Sequence, residues 1–284
     1  MLVGLVGLVT LGAIGFVLIC ALLYVGQDSA IFYPRPNDPR LWKALRPNRV
    51  EIPTTGATLE GWWIENSRAA NPAVVLYFGG NAEDVLHTAA MAAGLDASKT
   101  LLVNYRGYGG SSGKPGQKAL YEDAFAIYDH AISRGVRPEQ IVVMGRSLGS
   151  GVASMLAGSR ALRAAILITP FDSLAAVASR HYPFVPVRLL LRHPFPSIER
   201  AGRTSAPALF IAAEHDSVIP AVHAQRLFEA WSGRKQIHVL LGTGHNDLEM
   251  HPDYYRLINE FLTSEAGELE LQLGRRIRDR RRRG

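Results

Sequence analysis

Gly145-Arg146-Ser147-Leu148-Gly149 follows directly on the apolar run Ile141-Val142-Val143-Met144 and leads into a stretch of helical composition. A G-x-S-x-G at the junction of a strand and a helix requires a sharp turn. Such a turn holds the serine in a strained backbone conformation and lifts its hydroxyl clear of the sheet, while the glycines make room for it. The first amides of the helix then face any oxyanion formed nearby. The pentapeptide thus predicts a strand-to-helix unit and a candidate nucleophile, Ser147.

Working outward, short apolar runs at residues 73–78, 100–105, 141–145, 164–169, 208–213 and 236–241 read as strands buried on both faces. An initial strand pair, 50–53 and 59–64, turns near Gly56. Helical spacing lies between and after them: Tyr121, Ala124, Phe125, Tyr128 and Ile132 share one face, as do Tyr254, Leu257, Ile258, Phe261 and Leu262. Alternation of this kind predicts an α/β fold, a mostly parallel central sheet with helices on both faces. Residues 171–203, with four prolines and the run Leu189-Leu190-Leu191, break the alternation as a helical insertion after the sixth strand. A segment of that length is either a lid or binding wall, or a packed cover for the sheet.

A serine hydroxyl needs a base, and the base needs an orienting group. Asp216 follows the strand at 208–213, and His245 follows the strand at 236–241. Both are expected on loops at the sheet edge that carries Ser147, in the chain order Ser, Asp, His. Glu214 and Asp247 are the rival acids, and the other eight histidines lack such a placement. An oxyanion needs two donors. Leu148 N–H is one candidate, and Asn81 N–H, in the turn Gly79-Gly80-Asn81-Ala82, is the other. The alternative for that turn is a simple cap on a helix beginning near Ala82.

The 284 residues are 48% hydrophobic and 20% charged, which excludes a disordered or collagen-like chain. One cysteine, Cys20, excludes an internal disulfide and a cysteine-ligated zinc. Residues 275–283 hold seven arginines and Asp279, which accounts for the whole net charge of +6. The remaining body is neutral, so a specific nucleic-acid face is not expected; the tail can contact anionic lipid headgroups. Gly107 to Lys114 resembles a phosphate loop, but the P-loop spacing would demand glycine at Tyr108 and Ser or Thr at Pro115.

From Leu2 to Val25 no residue is charged, and a helix of those 24 residues spans about 36 Å, more than the hydrocarbon core requires. No basic residue precedes the run, which favours a permanent single-pass anchor over a cleaved signal. Arg35, Arg40, Lys43, Arg46 and Arg49 follow it, which predicts a cytoplasmic placement for the rest. The chain thus divides into an anchor (1–26), a membrane-proximal linker (27–49), a catalytic domain (50–264, with its insertion at 171–203) and a disordered arginine-rich tail (265–284).

Taken together, Phe32-Tyr33-Pro34-Arg35-Pro36, Leu76-Tyr77-Phe78-Gly79-Gly80-Asn81-Ala82, Asn104-Tyr105-Arg106-Gly107-Tyr108-Gly109, the Ser147 turn and the Asp216 and His245 loops resemble the α/β-hydrolase superfamily. More narrowly, the chain resembles membrane-anchored serine hydrolases similar to the α/β-hydrolase-domain depalmitoylases and their bacterial relatives. Two departures stand out: Gly79 occupies a place where relatives often carry histidine, and the N-terminal cysteine cluster of palmitoyl-protein hydrolases is reduced to Cys20. The resemblance implies acyl transfer through Ser147, Asp216 and His245, without a cofactor, on an amphiphilic ester or thioester. A peptidase or lysophospholipase would use the same triad, and a non-catalytic membrane scaffold would keep the fold without the chemistry.

Overall fold

The computed structural model describes residues 2–264. Eight strands form one sheet: β1 (Arg49–Thr54), β2 (Ala57–Glu65), β3 (Val74–Phe78), β4 (Lys99–Val103), β5 (Ile141–Arg146), β6 (Ala164–Ile168), β7 (Ala208–Ala213) and β8 (Lys235–Leu240). Their order is β1-β2-β4-β3-β5-β6-β7-β8. The pairings β1–β2 and β2–β4 are antiparallel and all others parallel. Every residue of β3, β6 and β7 is buried, as expected for strands covered on both faces.

Successive side chains alternate between two cores. Leu76, Phe78, Val143, Leu167 and Phe210 face one, while Val75, Tyr77, Val142, Ile166 and Leu209 face the other. The helices are α1 (Leu2–Ile31), α2 (Pro39–Leu45), α3 (Ala89–Gly94), α4 (Gln117–Ser133), α5 (Leu148–Ala157), α6 (Leu174–His181), α7 (Val187–Leu190), α8 (Ile198–Ala201), α9 (Ala221–Ala230) and α10 (253–264). Leu120 and Ile127 of α4, Val152 and Leu156 of α5, and Leu227 of α9 fill the first core. Met91 of α3 and Ile258, Phe261 and Leu262 of α10 fill the second. The insertion after β6 contains α6, α7 and α8.

No helix begins at Ala82. Asp84 instead caps a single 3-10 turn, Val85–Thr88, by accepting from Leu86 N–H at 3.1 Å. The expected strand 100–105 also ends early, at Val103, because Asn104 to Gly110 turn away. Gly109 has φ 51°, and a Cβ there would overlap the Asn104 and Asn37 side chains.

Leu5–Ile31 is long and apolar enough to cross a membrane by length and composition, and near the N-terminus a signal sequence meets the same test. Residues 32–49 are held closely against the body. Glu60, itself buried, accepts from Asn37 Nδ2 (2.6 Å), Trp42 Nε1 (2.9 Å), Arg49 Nε (2.7 Å) and Gly110 N–H (2.9 Å). The arginine-rich tail expected over 265–284 lies outside the described residues.

Candidate active site

The register places Phe78 of β3 beside Gly145 of β5, and Arg146 beside Ile168 of β6, so the chain exits from β3 and β5 adjoin. β3 continues leftward to β4 and β5 lies on its right. Their junction is therefore a switch point, where open α/β sheets form a crevice. Ser147 leaves β5 there with φ 51° and ψ −118°, a conformation costly for any side chain and comfortable for glycine. The turn is secured by Ser147 N–H donating to Ile168 O (2.9 Å) and by Ser150 Oγ donating to Ser147 O (2.7 Å). Two glycines make it possible. A Cβ on Gly145 would strike Gly149, and a Cβ on Gly149 would strike the Phe78 carbonyl.

The structure brings Ser147, His245 and Asp216 together. His245 Nε2 lies 3.0 Å from Ser147 Oγ, and its Nδ1 lies 2.7 Å from Asp216 Oδ2. The other Asp216 oxygen accepts from Val218 N–H (2.9 Å) and Ile219 N–H (2.7 Å), which fixes the carboxylate in its loop. A carboxylate only accepts, so Nδ1 carries the imidazole proton and Nε2 is free to accept from the serine hydroxyl. The rival acids are engaged elsewhere: Glu214 accepts from Gly242 N–H and Asp247 from Gly244 N–H. His223 is deeply buried, its Nδ1 2.7 Å from Asp172 and not bonded to any member of this cluster.

Asn81 and Leu148 border the same cavity as Ser147. Among the described residues Asn81 N–H donates to no protein acceptor, whereas its carbonyl accepts from Tyr33 N–H (3.0 Å) and Tyr108 hydroxyl (2.7 Å). The neighbouring Gly80 N–H is already taken by Glu83 Oε2 at 2.8 Å. Glu83 also accepts from Tyr77 hydroxyl (2.9 Å) and Thr88 hydroxyl. Its carboxylate lies 3.1 Å from where a Cβ on Gly79 would stand, so this chain supports the turn from Glu83 instead of from a side chain at 79.

Arg146 is a site residue that sequence reasoning missed. Its guanidinium donates to His245 O (3.3 Å) and Asn246 Oδ1 (3.3 Å) and lies 3.7 Å from Glu83, tying the histidine loop to the Gly80 turn. Burial opposes its charge, but Glu83 and its other neighbours outweigh that and raise its already high value. Burial, reinforced by Glu83, holds the Tyr77 hydroxyl far above its ordinary range, so it remains a donor. The x of G-x-S-x-G carries no sequence signal for such a role.

The cavity beside Ser147 measures about 540 Å³. Its walls are Phe171, Leu174, Val177, Val187 and Leu190 of the insertion, Ile219 of the Asp216 loop, and Leu23, Tyr24, Gln27, Ala30 and Ile31 of α1. Among the described residues, no Asp, Glu, Lys or Arg lines it. Thus α6 and α7 wall the site, while α8 packs beside α5 and α9 over the sheet. Among the described residues, no three His, Cys, Asp or Glu side chains gather as a metal site.

No family model matches the chain. It is 36% identical over 272 residues to an uncharacterized protein of Mycobacterium tuberculosis H37Rv, covering 93% of this chain and 95% of that protein. It is 32% identical over 203 residues to alpha/beta hydrolase domain-containing protein 17B of Xenopus tropicalis, covering 69% and 68%. The human 17B protein is 31% identical over the same shares. The fold is shared with the Pyrococcus furiosus esterase Pf2001, at TM-score 0.64 and 19% identity over 82% of this chain and 97% of that one. Est1E from Butyrivibrio proteoclasticus, solved with ferulic acid, superposes at TM-score 0.61 and 17% identity over 78% and 98%. Because the likeness to 17B extends through two thirds of both chains, and the sheet is that of the solved esterases, this chain belongs to the α/β-hydrolase family and is a hydrolase.

Proposed function

We propose that the protein is a membrane-anchored serine hydrolase that cleaves a carboxylic ester or thioester through an acyl-enzyme. The observation that carries this is the bonded series Ser147–His245–Asp216, assembled from three separate strand ends. His245 Nε2 takes the Ser147 proton as Oγ attacks the substrate carbonyl. Leu148 and Asn81 N–H hold the resulting oxyanion, each donor being worth about 3 kcal/mol in the transition state. His245 returns the proton to the departing alcohol or thiol, then activates the water that releases the acid. Asp216 keeps the imidazole oriented and stabilises its charge.

The mostly apolar cavity favours an amphiphilic acyl group over a peptide, whose polar backbone would find few partners there. The apolar α1 supplies the anchor, and the basic residues after it favour a cytoplasmic body. A fluorophosphonate probe tests the core of the proposal: labelling of the full chain, abolished in Ser147→Ala, is expected. Folded protein that resists labelling would leave a scaffold as the better reading. Acyl esters, acyl thioesters and aminoacyl amides offered side by side then resolve the bond cleaved.

A further inference from the structure

The wall formed by α1 is unusual for a membrane tether, because a tether has no need to touch the site. Leu23, Tyr24, Gln27, Ala30 and Ile31 all line the Ser147 cavity, and their spacing puts them on one helical stripe. This end of α1 is locked in place. Gln27, which is buried, donates from Nε2 to Leu190 O (3.1 Å) and accepts at Oε1 from Arg192 N–H (2.7 Å). Asp28 pairs with Arg192 and His193, both at 2.9 Å, and Ile31 O accepts from Asn81 Nδ2 at 3.2 Å.

Helix length then sets the height of the cavity. A hydrocarbon core of about 30 Å takes about 20 residues, fewer than the 27 of Leu5–Ile31, so a span that begins near Leu5 brings the last turns of α1 to the headgroup level. Phe184 and Leu189, 88% and 85% exposed, project from the insertion segment that forms the facing wall. Arg188, beside Leu189, is the kind of residue that snorkels toward headgroups.

Resting on the serine-hydrolase reading above, we infer that the last turns of α1 and the insertion form an acyl-chain site that opens toward the bilayer. Its occupant is a long-chain acyl group whose tail lies in the membrane while its ester or thioester carbonyl reaches Ser147. The anchor is thereby one side of the substrate site.

The test uses the full chain in nanodiscs and reads the ratio of palmitoyl to butyryl p-nitrophenyl ester hydrolysis, which a loss of folded protein cannot move. Ala30→Trp and Leu23→Trp, which fill the cavity from the anchor side, are expected to lower that ratio tenfold or more. Burying a methylene favours binding about fourfold, so excluding two already exceeds tenfold. Val25→Trp, on the 76% exposed outer face, is expected to keep the wild-type ratio. A monoacylglycerol and a palmitoyl-cysteine peptide, both bilayer-embedded, distinguish the carrier of the acyl group, and cleavage of either supports the site. An unchanged ratio in both tryptophan variants, or refusal of both embedded substrates by a chain that cleaves the butyryl ester, overturns the inference while leaving the hydrolase reading intact. A folded wild type that neither labels with fluorophosphonate nor cleaves any ester removes both.

Discussion

Asp216→Asn alters one atom of a side chain whose orientation is already dictated by its loop. The two backbone donors, Val218 N–H and Ile219 N–H, continue to demand an acceptor oxygen. The asparagine carbonyl must therefore stay where Oδ1 is, and its NH2 group turns toward His245 Nδ1, at the present 2.7 Å contact. An amide nitrogen donates only, so Nδ1 becomes the acceptor and the ring proton moves to Nε2. Nε2 then faces Ser147 Oγ, 3.0 Å away, with no lone pair to receive its proton. Loss of the correct tautomer in such a triad costs about 10⁴ in kcat, or about 5.4 kcal/mol of transition-state stabilisation. Steady-state hydrolysis of a short acyl ester is the assay, with thermal melting in detergent as the control, where only a small change is expected because both backbone bonds survive. Retention of a tenth or more of wild-type kcat by a fully folded variant would refute the tautomer argument and remove Asp216 from the mechanism.

Ser147→Gly is expected to abolish ester hydrolysis while raising thermal stability by about 1 kcal/mol, since glycine occupies φ 51°, ψ −118° without the cost a side chain bears; a lower melting temperature would contradict the strain. Gly149→Ala puts a methyl into the Phe78 carbonyl and should destabilise by roughly 2–3 kcal/mol, seen as a lowered melting midpoint. Arg146→Leu frees the His245 loop from the Gly80 turn and is expected to lower kcat by about tenfold, with KM moving less. Burial works against the Glu60 charge, but its bonds from Trp42, Arg49, Asn37 and Gly110 prevail and hold it below its ordinary value of 4.5. The stability it contributes is thus complete above about 4.5 and fades as pH falls through the lower folded value. Glu60→Gln should melt lower than wild type at pH 7, and the gap should narrow as the pH is taken below 4.5.

The parallel strands were legible because burial on both faces writes itself as uninterrupted apolar runs such as Val74–Phe78 and Ala208–Ala213. The convergence of Ser147, Asp216 and His245 was legible for a related reason: each follows such a run, and parallel strands deliver their exits to one edge. What escaped were contacts that depend on single polar partners far apart along the chain. Gln27 meets Leu190 and Arg192 across more than 160 residues, and Glu60 gathers Asn37, Trp42 and Arg49 into one knot. No period announces either, so residues 27–49 read as a linker. Arg146 and Glu83 escaped likewise, since an ion pair across a crevice leaves no local pattern. The helix expected near Ala82 failed because the Glu83 and Asp84 carboxylates satisfy nearby amides within the turn.

The unbroken course of α1 from Leu2 into the Asn81 turn makes it a rod and not a string. A body hung on a string sweeps a hemisphere and can work on anything within its radius. A body fixed to a rod has one elevation and one tilt. With α1 as the anchor proposed above, selection among bonds by their distance from the lipid surface would come with the architecture, before any side chain reads the substrate.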